Sequence, residues 1–314
     1  MTVDEAADGL RSLFLDEHVQ SEIRVIAREE DGKETFSKAE PLELVQVMSI
    51  MSLAWVDGFG AKTEPAVVSP PSEEAEVVPV PPSSSSSAPP SSVLLIGVGG
   101  GSIANVLLSA LPADSTLHLV ELEPEVLQAA VDFFGVQMVA PRCTGEAADG
   151  AAIMRDHAAK CRSARAMGGS VPGYDVLILD AFTKDGLAAS TQQKATLDDA
   201  AACLSDRGLL IVNLHTGDES DPDYVVARGV LRSLAVRFDA VYSVLCSTTL
   251  NLIAVCHQGP FLDADDWEGR LKAQMLRAEL RGRLPHLDIS RTMSRFDFVG
   301  GKAHKVSKNV GLWR

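Results

Sequence analysis

The sequence predicts an α/β fold in which a mostly parallel, Rossmann-like sheet ends in an antiparallel hairpin. From residue 93 onward, apolar runs typical of buried strands alternate with stretches of helical periodicity. A glycine-rich turn follows the first of these strands. The last two strands are separated by a short STT turn, whereas parallel neighbours need a crossover of a dozen or more residues. These strands must therefore be antiparallel.

Each element has its own signal in this region. The predicted strands are 93–98, 116–122, a weaker one within 137–144, 174–180, 208–214, 239–246 and 250–257. The predicted helices between them are 103–111, 124–135, 192–204 and 225–238. The second helix shows the clearest boundaries, because Pro124 suits its first position and Gly135 its end.

The chain outside this region divides into three further parts. The predicted units are an N-terminal segment at 1–60, a linker at 61–92, the main domain at 93–258 and a C-terminal helix and tail at 259–314. The linker is rich in proline and serine, which predicts disorder. Within the first segment, 11–29 predicts one or two strands, and 41–59 predicts a helix starting near Pro41. That helix is apolar on more than one side, so it should pack on the main domain.

The C-terminal part is predicted to hold a helix within 263–284, capped by Asp263 or Asp265. Residues 291–314 show little pattern, and we expect them to be loosely ordered.

Composition narrows the function classes. A net charge of −15 disfavours nucleic-acid partners and suits a basic protein or a cationic small molecule, although acidity also serves solubility alone. The five cysteines form no C-x-x-C pair and the histidines are scattered, so we expect buried free thiols and no metal site. The chain starts without signal-peptide features and has no apolar run of about 20 residues. We therefore expect a cytoplasmic protein without membrane association.

The glycine-rich turn, IGVGGGS at Ile96–Ser102, is the first candidate site. Glycines permit a tight turn and close approach of a ligand, and ligands of such sheets bind beyond the carboxyl ends of the strands. The candidate cofactor-binding residues are Gly97, Gly99, Gly100 and Gly101. The turn alone also fits a structural role, and 99–104 match the G-x-G-x-x-A dinucleotide pattern. The terminal hairpin favours the class I methyltransferase architecture over a nicotinamide-binding domain.

Acidic residues follow three of the predicted strands. Glu121 is placed to accept hydrogen bonds from the ribose hydroxyls of an adenosine cofactor, whereas the neighbouring Glu123 suits a helix N-terminus. Asp149 suits an adenine amino group or a helix cap, and both roles are compatible. Asp180 is placed at the cofactor cleft, where a carboxylate can orient an amine acceptor and take its proton. Asp185, in the same loop, is a second catalytic candidate.

Three phrases resemble the spermidine-synthase-like branch of class I methyltransferases, and particularly the elongation factor 1-alpha lysine and N-terminal methyltransferases. They are RSLFLDEHVQSEIRV, VLLIGVGGGSIANVL with LVELEPEVLQAAVDFFG, and YDVLILDAFTKDG. The resemblance covers roughly 10–58 and 93–257 and implies S-adenosylmethionine as cofactor. It also implies a protein acceptor, such as the N-terminal amine or a lysine of a translation factor, and a homodimer as in many relatives. The tail does not match these methyltransferases, which puts the particular acceptor in doubt.

The same resemblance raises an aminopropyltransferase as the alternative. Spermidine synthases carry a G-G-G-D-G turn, whose aspartate helps to hold the amine of a decarboxylated donor, and Gly100 stands at the corresponding position here. Glycine leaves room for the carboxylate of intact S-adenosylmethionine, so methyl transfer is favoured. The synthases' D-S-S-D-P loop is replaced here by DAFTKDG. A third hypothesis is a non-catalytic module that binds the cofactor only.

Overall fold

The computed structural model describes most of the main domain and parts of both ends. The described residues are 2–6, 10–15, 18–28, 34–36, 43–58, 91–169, 173–183, 186–218, 220–246, 250–276, 284 and 287–302. Pro41, Asp185 and the predicted linker up to residue 90 lie outside them.

Strands and helices alternate through most of the described chain. The strands are β1 (Thr2–Glu5), β2 (Leu10–Leu15), β3 (His18–Arg28), β4 (Glu34–Phe36), β5 (Ser92–Ile96), β6 (Thr116–Glu121), β7 (Cys143–Ala147), β8 (Tyr174–Leu179), β9 (Phe182–Thr183), β10 (Gly186–Leu187), β11 (Leu204–His215), β12 (Ala240–Leu245), β13 (Asn251–His257) and β14 (Phe296–Gly300). The helices are α1 (Glu43–Gly58), α2 (Ser102–Ala110), α3 (Pro124–Phe134), α4 (Gly150–Ala166), α5 (Lys194–Cys203), α6 (Pro222–Ala235), α7 (Ala264–Met275) and α8 (Ile289–Met293).

Eight strands form the main sheet in the order β14-β12-β13-β11-β8-β5-β6-β7. β7, β6, β5, β8 and β11 pair in parallel, whereas β13 runs antiparallel to both β11 and β12. This confirms the predicted parallel sheet with a terminal antiparallel hairpin. The strand expected within 137–144 begins only at Cys143, so that placement was wrong. β7 is the outer edge strand, and Cys143 is its only buried residue, which explains its weak signal.

The sheet lies between two apolar layers. One layer packs α1, α2 and α7 onto side chains such as Leu95, Ile178 and Ile211. The other packs α4, α5 and α6 onto their chain neighbours, including Leu177 and Val212. Successive side chains of a strand point to opposite faces of the sheet. The alternation between the two layers therefore assigns each residue at a strand end to one face.

The helix α1 belongs to the core of the main sheet, although 33 residues separate it from β5 in the chain. Its residues Val45–Val56 are buried, and the Trp55 indole donates to the Arg207 carbonyl at 2.8 Å. The prediction that this helix packs on the main domain is confirmed. The phrase 11–29 contains β2 and β3, which join β1 and β4 in a second sheet. Leu13 of that sheet packs against α3.

The tail differs from its prediction. Residues 296–300 form β14, which pairs with β12 and closes that side of the sheet, so the expectation of loose order was wrong there. Phe296 stacks on Tyr242 with ring centroids 4.9 Å apart. Asp263, rather than Asp265, caps α7, in a reciprocal capping box with Asp266. Residues 303–314 lie outside the described part of the chain.

Three general expectations concern the whole chain. All five cysteines are free and buried, as predicted. Among the described residues, no three His, Cys, Asp or Glu side chains are grouped so that they could hold a metal ion. None of the described helices is long and apolar enough to cross a membrane.

Candidate active site

The candidate site lies beyond the carboxyl ends of β5 and β8. The chain builds β5, β6 and β7 to one side and then crosses over to β8 and β11 on the other, so β5 and β8 flank the point where the strand order reverses. Open α/β sheets bind ligands at such a point, because the connections leave it in opposite directions and a crevice opens between them. Gly97 and Asp180 directly follow these two strands and meet there.

Two glycines of the turn are required by their surroundings. A Cβ on Gly97 would lie 2.1 Å from the Asp180 carbonyl oxygen, and φ at Gly97 is +85°. Gly101 has φ +74°, and a Cβ there would lie 2.1 Å from Val136 Cγ2. Both positions therefore exclude other residues by conformation and by space. The turn leads directly into α2, whose first residue is Ser102.

Glu121 ties the glycine turn to the end of β6. Its Oε2 accepts from the backbone N–H groups of Val98 at 2.8 Å and Gly99 at 3.2 Å. Its Oε1 accepts from Leu122 at 2.9 Å and Glu123 at 3.3 Å. A carboxylate has about four acceptor positions, so backbone donors occupy them all. Glu121 therefore holds the turn, and a ribose bound here would replace some of these donors.

Asp149 and Glu123 stand before helices. Asp149 is exposed at the N-cap of α4, where its Oδ1 accepts from the Ala151 N–H at 3.0 Å. Asp149 thus has the predicted capping role. Its second carboxylate oxygen is not part of that hydrogen bond, and the predicted contact with an adenine amino group stays a prediction. Glu123 precedes α3 and makes no side-chain cap hydrogen bond.

Asp180 lies in a different environment from Glu121. Its Oδ1 accepts from Asn213 Nδ2 at 2.8 Å, and Asn213 Oδ1 accepts from Asn251 Nδ2 at 2.9 Å. Burial raises the pKa of Asp180 to about 7, the Asn213 hydrogen bond opposes this rise, and the nearby Glu121 charge adds to it. At neutral pH the Asp180 carboxyl group is therefore divided between its neutral and its charged form.

The alternation of the strands places these polar groups on one face. Asp180 lies two residues after Ile178, and Asn213 two residues after Ile211, so each shares a face of the sheet with that isoleucine. Both isoleucines belong to the layer of α1, α2 and α7. By the same alternation Glu121 continues Leu119 of that layer. The carboxyl edge of the sheet thus presents both carboxylates and the two amides beside one crevice.

The sequence predictions are met in part. The structure brings Gly97, Gly99, Glu121 and Asp180 together at one edge, while Asp185 lies outside the described residues. Sequence reasoning missed Asn213 and Asn251. A signal was present for Asn213, because an amide within the apolar run GLLIVNL needs a buried hydrogen-bond partner.

Comparison with solved structures identifies the fold. The structure of human methyltransferase-like protein 13 in complex with SAH matches with a TM-score of 0.57 at 20% identity, over 75% of this chain and 91% of that one. A probable spermidine synthase from Corynebacterium glutamicum matches with a TM-score of 0.58 at 14% identity, over 87% and 82%. A spermidine synthase in complex with the transition state analogue AdoDATO matches at 0.51 and 12%, over 91% and 88%.

The chain therefore has the class I S-adenosylmethionine-dependent methyltransferase fold, in the form shared with spermidine synthases. No protein-family model and no curated protein sequence matches the chain.

Proposed function

We propose that this protein is an S-adenosylmethionine-dependent methyltransferase that acts on a protein amine. The observation that carries the proposal is the pair of carboxylates at the point where the strand order reverses. Glu121 is fixed on the glycine turn, and Asp180 beside it has a pKa of about 7.

The residues around the glycine turn suit an adenosyl cofactor. S-adenosylmethionine supplies a methyl group on a sulfonium when it is bound. A carboxylate only accepts hydrogen bonds, and the two ribose hydroxyls donate them, so Glu121 fits the sugar. The backbone N–H groups of Val98 and Gly99 lie at the same point. Asp149, which follows the next strand β7, is the proposed partner of the adenine amino group. The complex of methyltransferase-like protein 13 with SAH supports this assignment.

Asp180 suits the deprotonation of an amine. An ammonium has no lone pair and cannot attack a methyl group, so it must first lose a proton. A base with a pKa near the working pH is best suited to take it. Asn213 orients the Asp180 carboxylate, and Asn251 orients Asn213 in turn. An oxygen of Asp180 then holds the neutral amine by accepting a hydrogen bond from one of its two remaining N–H groups.

The acceptor class follows from charge and from the resemblance. A net charge of −15 attracts a basic protein segment. We therefore propose an N-terminal amine or a lysine, with a translation elongation factor as one candidate, in a cytoplasmic setting. A homodimer is part of the same proposal.

An aminopropyltransferase is the second candidate, because two spermidine synthase structures share the fold over more than four fifths of the chain. Gly100 disfavours it, since no carboxylate stands there to pair with the amine of a decarboxylated donor.

Calorimetric titration with S-adenosylmethionine and with its decarboxylated form tests the two candidates. We expect measurable affinity for intact S-adenosylmethionine and at least about tenfold weaker binding of the decarboxylated form, because tenfold corresponds to the 1.4 kcal/mol of one modest polar contact. A tritiated-methyl assay on cell extract should then label a discrete protein band. Absence of binding contradicts the proposal, whereas binding without any labelled product favours the non-catalytic alternative. Product formed from putrescine and the decarboxylated donor would establish the synthase instead.

A further inference from the structure

We propose that His215 is a second base of this site and takes a proton from the acceptor amine, and that Asp223 is its positioning residue. This inference rests on the proposed methyltransferase function. It arises from a histidine–aspartate pair at the carboxyl edge of the sheet that the site described above leaves unused.

The contact between the two side chains selects one form of the imidazole. His215 Nδ1 lies 2.7 Å from Asp223 Oδ2. An ionised carboxylate only accepts, so the neutral ring must carry its proton on Nδ1, which leaves the Nε2 lone pair available. Within the described part of the chain Nε2 has no hydrogen-bond partner, and 38% of the side chain is exposed. A carboxylate that orients an imidazole in this way is the arrangement by which many enzymes prepare a histidine base.

The pair lies on the acceptor side of the crevice. β11 runs parallel to β8 with Val212 opposite Leu179, which brings Asn213 level with Asp180. His215 is two residues further along β11, so it continues the same face about 7 Å beyond Asn213. The glycine turn and Glu121 lie on the opposite side of Asp180. An acceptor that approaches from solvent therefore passes His215 before its nitrogen reaches Asp180.

Several acidic groups lie near His215 in the chain or on the neighbouring strand. Asp223 contacts the ring from the first turn of α6, and Asp218 and Asp221 lie in the loop between β11 and α6. Asp180 directly follows the neighbouring strand β8, and β13 contributes the uncharged Asn251 opposite His215. These negative charges favour the approach of an ammonium group.

S-adenosylmethionine is the methyl donor in the proposed reaction, and no further reactant is needed. The acceptor ammonium gives one proton either to Asp180 or, where it meets His215 first, to His215 Nε2. In the second case the ring becomes an imidazolium beside the Asp223 carboxylate. The neutral nitrogen then forms a bond to the methyl carbon as the carbon–sulfur bond breaks, and the sulfur departs as a neutral thioether. The imidazolium returns its proton to solvent, which its partial exposure permits.

A second histidine–carboxylate pair provides a matched control. His118, in β6, contacts Glu146 Oε1 through Nε2 at 3.0 Å and the Tyr174 hydroxyl through Nδ1 at 3.2 Å. Both of its ring nitrogens are engaged, so it has no free lone pair to offer. The change His118→Gln should therefore leave methyl transfer unaltered.

The test compares His215→Gln, Asp223→Asn and His118→Gln with the unchanged protein, using tritiated S-adenosylmethionine and the extract protein labelled above. We expect His215→Gln to lower the rate at pH 7 by at least about tenfold, the low end for a lost base. The deficit should shrink towards pH 9.5, because the acceptor amine then loses its proton unaided. Asp223→Asn should show the same trend, while affinity for S-adenosylmethionine stays within about twofold in all variants.

Nitrogen-15 spectra of histidine-labelled protein supply a readout that needs no turnover. We expect the His215 ring, assigned by its loss in His215→Gln, to carry its proton on Nδ1, and Asp223→Asn to weaken that preference. A rate for His215→Gln equal to that for His118→Gln at every pH, or a proton on Nε2, overturns this inference and leaves the methyltransferase proposal intact. Failure of the unchanged protein to bind S-adenosylmethionine overturns both.

Discussion

Glu121 ends β6 and Asp180 directly follows β8, the two strands that flank β5, and the protein holds these two carboxyl groups in different ways. Four backbone N–H groups donate hydrogen bonds to the Glu121 carboxylate. Asp180 has one amide partner and is desolvated, so its pKa rises to about 7. This difference supports the proposed division of roles, in which the first acid fixes the cofactor and the second exchanges a proton.

The largest expected effect is on the methyl-transfer rate when Asp180 is replaced. We expect Asp180→Asn to lower the methyl-transfer rate by roughly 10²- to 10⁴-fold, the usual range for a general base, because an amide cannot take the proton. In the unchanged protein the rate should rise as the pH passes through about 7, where Asp180 loses its proton.

A single-turnover assay with a saturating donor measures this effect. The matched control is Asp175→Asn, since Asp175 lies at the other end of β8 and accepts from the Ser92 N–H. Equal rates for the two variants would remove Asp180 from the catalytic machinery.

The second largest expected effect is on cofactor affinity when Glu121 is replaced. We expect Glu121→Ala to weaken S-adenosylmethionine binding by roughly 100-fold or more, because two hydrogen bonds to a charged acceptor are worth about 1.5–3 kcal/mol each. Titration calorimetry measures the affinity. Glu123→Ala is the control, because Glu123 is exposed two residues away and its side chain makes no cap hydrogen bond. Similar affinities for both variants would contradict the assignment of Glu121 to the ribose.

The smallest expected effect is on the pH dependence of thermal stability when Asp180 is replaced. Because the pKa of Asp180 in the folded protein exceeds the usual 3.8, the neutral form stabilises the fold. That contribution is fully present below about pH 4 and is lost as the pH rises through about 7. Asparagine never ionises, so Asp180→Asn should gain Tm relative to the unchanged protein by about 5 °C between pH 4 and pH 8. Thermal melts check this, and a difference that does not change with pH would contradict the raised pKa.

The topology of the sheet could be predicted from the sequence for local reasons. A short turn between two strands fixes their antiparallel pairing, and the glycines of IGVGGGS fix the end of β5. The strand β14 could not be predicted in the same way. Its five residues pair with β12, about 50 residues earlier, and Phe296 is stabilised by a ring on that distant strand. Such tertiary contacts override a weak local pattern.

The candidate site shows the same division between local and distant signals. Acids at predicted strand ends could be found by position, which located Glu121, Asp149 and Asp180. Their individual environments could not be read from the sequence. The difference between them depends on which donors converge on each carboxylate. Asn213, 33 positions later in the chain, donates to Asp180, and Asn251, 71 positions later than Asp180, donates to Asn213.

The burial of α1 in the main core has a consequence for protein synthesis. Its apolar residues, such as Met48 and Met51, emerge from the ribosome early, yet β11 and β13, which they help to cover, end at residues 215 and 257. At 5–20 residues per second, about 200 residues take roughly 10–40 s to make. Over that interval the helix lacks much of its native cover, so nascent chains should depend on chaperones until β13 is complete.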